Sequence, residues 1–201
     1  MKKILTLLAV TFASMTVAHA QFGIIAGLNY SGTKYTPKTL IDEAKNITLF
    51  HFGVGYKLDL PFSLVLQPEI TYQMKGARLE AAGAQPLDYK NGYLEAGVGI
   101  QWGPDLLIAR PFLVAQPYIG YMVYPDSSLK DITSGTNKLE TGIGLGVGVE
   151  ALNHFQLSVM WFRNLGTLAD NIQTASTASV LSKLTDLKSY QGVRVSLMYL
   201  F

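Results

Sequence analysis

The sequence contains no cysteine. A small exported fold held by disulfide staples is therefore excluded, and stability must come from elsewhere. Charge is also sparse: Asp, Glu, Lys and Arg make up 15% of the chain, against 49% apolar residues. The only histidines are His19, His51 and His154. Without cysteine, these are too few ligands for a transition-metal centre. No run of eighteen apolar residues follows residue 20, so no transmembrane helix is expected. No glycine-rich loop opens a helix to cradle phosphate; the glycines alternate with apolar residues instead. No nucleophile, base and orienting group converge, so neither an enzyme nor a cofactor is expected.

What is present begins with a leader. Lys2 and Lys3 precede a short apolar run over residues 4–17, and Ala18-His19-Ala20 follows. This is the pattern of a secretory signal peptide, with cleavage between Ala20 and Gln21. Residues 21–201 then form a single domain. Lys2 and Lys3 are two of the 16 basic residues, so removing the leader leaves 14 against 14 acidic ones. A domain near neutrality offers no polybasic surface for nucleic acid.

The rest of the chain alternates. Residues 190–201, YQGVRVSLMYLF, place Val193, Val195, Leu197, Tyr199 and Phe201 on one face of a strand. A soluble protein rarely leaves such an apolar strand at an open edge, whereas a closed barrel in lipid has no edge. Seven further alternating segments lie at residues 22–30, 48–59, 62–75, 89–102, 112–124, 138–150 and 154–162. The fifth starts at 112 or as early as 106. Segment 138–150 shows the period most simply: Leu139, Thr141, Ile143, Leu145, Val147 and Val149 alternate with glycines and two glutamates. The connections between segments alternate long and short. The expected fold is all-β: an eight-stranded antiparallel transmembrane β-barrel with short periplasmic turns and four longer extracellular loops. A lipocalin-type barrel would place its apolar residues inside, and glycine at every second inward position makes a poor apolar pocket.

Two side-chain sets follow from the alternation. Outward aromatics at the strand ends form two girdles. Tyr30, Tyr72, Tyr121 and Trp161 lie toward the long loops, and Tyr56, Trp102, Tyr199 and Phe201 toward the short turns. Inward positions hold His51, Lys57, Gln67, Glu69, Lys75, Glu95, Gln101, Tyr118, Glu140, Glu150 and Arg194. An eight-stranded barrel is just wide enough for side chains to fill, and buried charges must be paired. A polar network plugging the lumen is expected, with Arg194 serving Glu69 or Glu140. Pro68 and Pro117 sit inside strands and remove ladder donors, so a β-bulge is expected at each.

The segments GIIAGLNYSG (23–32), LVLQPEITYQMKGA (64–77), YLEAGVGI (93–100), QPYIGYMV (116–123) and the terminal SLMYLF resemble the PorT-like outer-membrane β-barrel family of Bacteroidetes-type bacteria. The resemblance spans essentially the whole domain. Gln67-Pro68-Glu69 and Lys75-Gly76 are its most telling parts. It implies the barrel fold and the outer membrane of a Gram-negative bacterium. It also implies a link to gliding and protein secretion for the family's named member, most others having no assigned role. The partners expected are outer-membrane lipid, the barrel assembly machinery and an unidentified extracellular or periplasmic protein around a monomer. A structural or surface-binding role is the leading expectation. The alternatives are an accessory of a secretion machine and a lipid-modifying enzyme using His51 with Ser31 or Ser63. The loop at residues 163–189 is a place where a partner would bind.

Overall fold

The computed structural model describes residues 20–33, 43–80, 87–124, 138–166 and 190–201. Residues 1–19 of the leader expected at 1–20, and residues 167–189 of the loop expected at 163–189, lie outside the described residues. The elements are β1 (Ala20–Thr33), β2 (Glu43–Lys45), β3 (Ile47–Leu60), β4 (Leu64–Glu80), β5 (Leu87–Trp102), β6 (Ala109–Tyr124), β7 (Leu139–Ala151), β8 (Phe155–Gly166) and β9 (Tyr190–Leu200). All pair antiparallel, in the order β2-β4-β3-β1-β9-β8-β7-β6-β5. Pairing of β4 with β5 closes the sheet. The eight long strands form a barrel.

The short strand β2 does not add a ninth stave. It pairs with β4 on the side that β3 occupies lower down, Lys45 opposite Arg78 and His51 opposite Gln73. Across Asn46 the register moves by one residue, so β2 and β3 act as one interrupted strand. Part of the two connections expected at 31–46 and 76–88 is therefore strand. Pairing of β4 with β5 runs from Leu64↔Trp102 to Leu79↔Leu87. The hydrophobic alternation fades after Met74 because the lipid requirement stops there, while backbone pairing continues. The eight long strands run from 11 residues in β9 to 17 in β4, enough for the ~9–11 residues needed to cross a bilayer.

Closure falls on β1 and β9, which pair from Gly23↔Leu200 to Thr33↔Tyr190. Beyond the ladder, the Phe201 amide donates to the Phe22 carbonyl at 2.9 Å. The rings follow the backbone: Phe22–Phe201 stack at 6.1 Å, Tyr199–Phe201 meet edge-on at 5.0 Å, and Phe155–Tyr199 at 5.2 Å. One aromatic cluster thus covers the seam between the first and last strands.

The bulges are not at the prolines. Gly55↔Glu69 and Leu58↔Leu66 share one register, with only the pairs between them missing around Pro68. Likewise Gly97↔Tyr118 and Ile100↔Ala115 share one register across Pro117. Each proline drops pairing on the side its missing N–H faces and keeps its other ladder intact. Side-chain facing is therefore unbroken, with Pro117 outward and Tyr118 inward. Besides the one-residue shift across Asn46, register shifts lie at Gly92/Tyr93 and Thr141/Gly142, toward the long-loop end.

Two short turns are tight. Phe62 and Ser63 (φ 66° and 59°) and Leu152 and Asn153 (φ 54° and 59°) all take the left-handed region. This is the twist that hairpin turns favour, here without the usual glycine.

Candidate lumen network

The barrel is inside-out. Leu28, Phe52, Ile70, Val147 and Leu197 are all about half exposed on the outer wall, while Lys75, Gln73 and Asn29 have no accessible surface. Such an outer wall needs lipid around it, and such an interior needs internal partners.

The inward polar groups form two charged clusters and a bridge. Toward the long loops, Lys75 Nζ contacts Glu95 and lies 2.5 Å from Glu140 Oε1. Arg194 Nη2 pairs with Glu95 Oε2 at 3.1 Å. Asn164 Nδ2 donates to Glu140 Oε2 at 2.5 Å, and the Tyr118 hydroxyl donates to Asn164 Oδ1 at 2.6 Å. The Lys75 ammonium also sits over the rings of Tyr118 and Phe162, 4.7 and 5.4 Å from their centroids. Two cations thus balance two carboxylates within an aromatic collar.

The second cluster is near the short turns. Lys57 Nζ donates to Glu150 Oε1 at 2.6 Å and lies 3.3 Å from Asp59. Arg110 Nη2 donates to Glu150 Oε2 at 2.9 Å and to Gln101 Oε1 at 2.6 Å. Amides connect the two clusters. Arg194 Nη1 donates to Gln116 Oε1 (3.4 Å), and Gln116 Nε2 donates to Glu69 Oε2 (2.7 Å). Gln67 Nε2 donates to Glu69 Oε1 (2.6 Å) while its own oxygen accepts from Gln101 Nε2 (2.8 Å). A continuous side-chain path therefore runs from Glu95 to Lys57. Glu69 lies within it, held by the Gln67 and Gln116 amides.

These contacts correct two expectations. Arg194 serves Glu95, not Glu69 or Glu140, because Lys75 reaches Glu140 and Gln116 stands between Arg194 and Glu69. His51 meets neither Ser31 nor Ser63. Its Nε2 lies 2.9 Å from Ser196 Oγ, both residues being buried. Ser31 instead exchanges hydrogen bonds with the Gly76 backbone, and Ser63 belongs to a turn. The His51–Ser196 contact depends on Gly27, which lies opposite both residues in the ladders. A Cβ there would come within 2.6 Å of His51 Cε1 and collide with the Val195 carbonyl. His51 Nδ1 has no hydrogen-bond partner among the described residues, so no third group orients the ring.

Buried polar residues outside the expected set are Asn29, Ser31, Thr71, Gln73, Asn91, Arg110, Gln116, Gln156, Asn164 and Ser196, packed with apolar groups. A strand begun at 112 leaves Arg110 outside it, although the alternation Arg110, Phe112, Val114 carries the signal for an earlier start. Tyr93, Tyr118, Met122, Phe162 and Tyr190 cluster at one level, and Ile25, Met198 and Leu200 at another. Leu200 reads as a lipid-facing residue by hydropathy alone; its parity in β9 turns it inward.

On the outer wall, Tyr30, Tyr56, Trp102, Tyr121, Trp161, Tyr199 and Phe201 are exposed, and Tyr72 is half-buried beside Phe50 and Phe52. Ala20 and Gln21 form the start of β1.

A family model described as "Outer membrane protein beta-barrel domain" matches residues 12–169. None of the curated proteins matches the chain. Among solved structures, Neisserial surface protein A is similar at 13% identity and a TM-score of 0.46, covering 90% of this chain and 99% of that one. The N-terminal β-barrel domain of Pseudomonas aeruginosa OprF gives 10% and 0.41, covering 90% and 97%. The attachment invasion locus protein Ail of Yersinia pestis, in complex with the heparin analogue sucrose octasulfate, gives 11% and 0.45, covering 90% and 99%. A chain that is apolar outside, closed into one antiparallel sheet and matched over most of its length by that model belongs to the outer membrane protein beta-barrel domain family.

Proposed function

We propose that the protein is a monomeric outer-membrane barrel whose lumen is plugged by its own side chains. It acts as a structural element or as a binding surface rather than as a pore. The observation that carries this is the hydrogen-bonded path from Glu95 to Lys57, which occupies the interior at both ends and in the middle. Export on a leader ending at Ala20, and insertion by the barrel assembly machinery through β9, belong to the same proposal. Reconstitution into planar bilayers is the test. The plugged reading expects no stable unitary conductance from the wild-type barrel. Lasting single-channel steps in the wild type would overturn it.

A second reading has its own observation. The short-turn end carries apolar groups at its apices: Phe62 is 89% exposed and Leu107 fully exposed, with Leu106, Ile108 and Leu152 beside them. Turns in water are normally polar. This supports an accessory of a secretion or assembly machine, as the PorT-like resemblance implies, docking through its periplasmic turns. A photo-crosslinking residue at Leu107 would trap one defined protein in cells under this reading. Crosslinks to lipid alone would remove it. For a lipid-modifying enzyme, the His51–Ser196 pair is the candidate. Its burial and unoriented ring argue against it, and lipid A altered in a His51→Ala strain would reinstate it.

A further inference from the structure

The outer wall is not evenly filled. Along one row across the strands, Phe22 lies opposite Tyr56, Pro68 opposite Val98, and Pro117 opposite Ile143. The rings at the β1–β3 end are large, and the residues that follow on β4, β5 and β6 are compact. Ala96 adds another small side chain two positions from Val98. The result is an open groove of about 660 Å³, walled almost wholly by apolar surface and crossing from β1 to β6. Its floor coincides with both interrupted seams, β3–β4 at Pro68 and β5–β6 at Pro117. An ordinary residue at either position would restore a ladder rung, and a branched one would also raise the floor. The chain instead carries, at two neighbouring places on the wall, the residue that forgoes pairing and keeps the wall low.

We propose that this groove holds one acyl chain of a phospholipid from the periplasmic leaflet. Three observations select that occupant. The groove is continuous with the outer band that lipid covers. Its volume lies within the range of about 300–1,000 Å³ that encloses a small ligand, enough for one chain. Its Tyr56 end lies toward the short turns, four residues from Leu60 along β3, and short turns face the periplasm in outer-membrane barrels. A chain lying there enters from the girdle and rises obliquely across β4 and β5. It would shield the two weakened seams from competing polar groups.

The test is acyl photolabelling. The full-length barrel is reconstituted in phosphatidylethanolamine/phosphatidylglycerol vesicles containing phosphatidylethanolamine with a diazirine on one acyl chain, then irradiated and digested. The proposal expects label on Pro68, Ala96, Val98 and Pro117 to exceed that on Leu157, Val159 and Val195 of the opposite wall several-fold. Ala96→Phe, which fills the floor, is expected to abolish the excess while Leu145→Phe leaves it. Even labelling around the wild-type wall would overturn the proposal without any variant. So would an excess that survives Ala96→Phe in a barrel that still shifts on heating in a gel. If a diazirine-labelled lipid A competes away the phospholipid label, the chain comes from the other leaflet and the assignment fails.

Discussion

Lys75→Met removes the cation shared by Glu95 and Glu140, which also lies over the rings of Tyr118 and Phe162, while keeping much of the aliphatic stem. The two carboxylates are left differently. Glu95 keeps Arg194 at 3.1 Å. Glu140 keeps only the Asn164 amide at 2.5 Å and has no second cation among its described contacts. Breaking a buried ion pair by deleting one partner costs roughly 3–5 kcal/mol, because a desolvated charge remains. We expect that range for Lys75→Met, most of it from Glu140. The double variant Lys75→Met/Glu140→Gln removes the stranded charge and leaves an oxygen for Asn164. It should therefore recover about 0.5–3 kcal/mol, the usual size of coupling between residues in contact. The assay is urea unfolding of the barrel in lipid vesicles, read by Trp102 and Trp161 fluorescence and by heat-shifted gel mobility, with m-values compared so that midpoints report stability. A single variant that loses less than about 1 kcal/mol would show that water reaches Glu140, which refutes the sealed lumen. A double variant as unstable as the sum of its parts would refute the pairing.

Three further outcomes follow from the same geometry. Deleting Phe201 removes its bond to the Phe22 carbonyl and two ring contacts at the closing seam, so heat-modifiable barrel in the outer-membrane fraction should fall sharply; undiminished insertion would count against a closing role. Gly27→Ala should destabilise by about 1–3 kcal/mol through overpacking against His51 and Val195, whereas Gly99→Ala, whose Cβ would meet nothing nearer than 3.5 Å, should be close to neutral in the same unfolding assay. Pro68→Val restores a donor on the β3–β4 seam and should raise stability by about 0.5–1.5 kcal/mol, with slower amide exchange at Tyr56 and Leu58, whose N–H groups face β4; unchanged exchange would mean the seam stays open for another reason.

Much of the fold was legible because lipid enforces a strict rule. Where a strand crosses hydrocarbon, every second side chain must be apolar, and no strand may have a free edge. That made Leu94, Ala96, Val98, Ile100 and Trp102 readable as one outer face. Where the rule lapses, legibility lapses with it. Ala77 pairs with Tyr89, and Arg78 with Asp88, in a region where no lipid imposes alternation, so that stretch of β4 and β5 reads as loop. The prolines misled for a related reason. A missing N–H disrupts only the seam it faces, and on a wall whose other ladder is continuous the register holds without a bulge.

Strand count and the facing of residues toward lipid or lumen could be read from the chain alone, because a two-residue period is a local property. The need of the inward charges for partners was equally plain. Which partners they take is a matter of the closed barrel. Arg194 and Glu95 are 99 residues apart in the chain, and Lys57 and Glu150 are 93 apart. Their meeting depends on barrel stagger and on gaps left by particular glycines. Gly27 lets His51 reach Ser196 across β1, and Gly142 leaves the space that the Tyr118 ring fills. No period in the sequence encodes those distances, because they are set by how eight tilted strands close on one another.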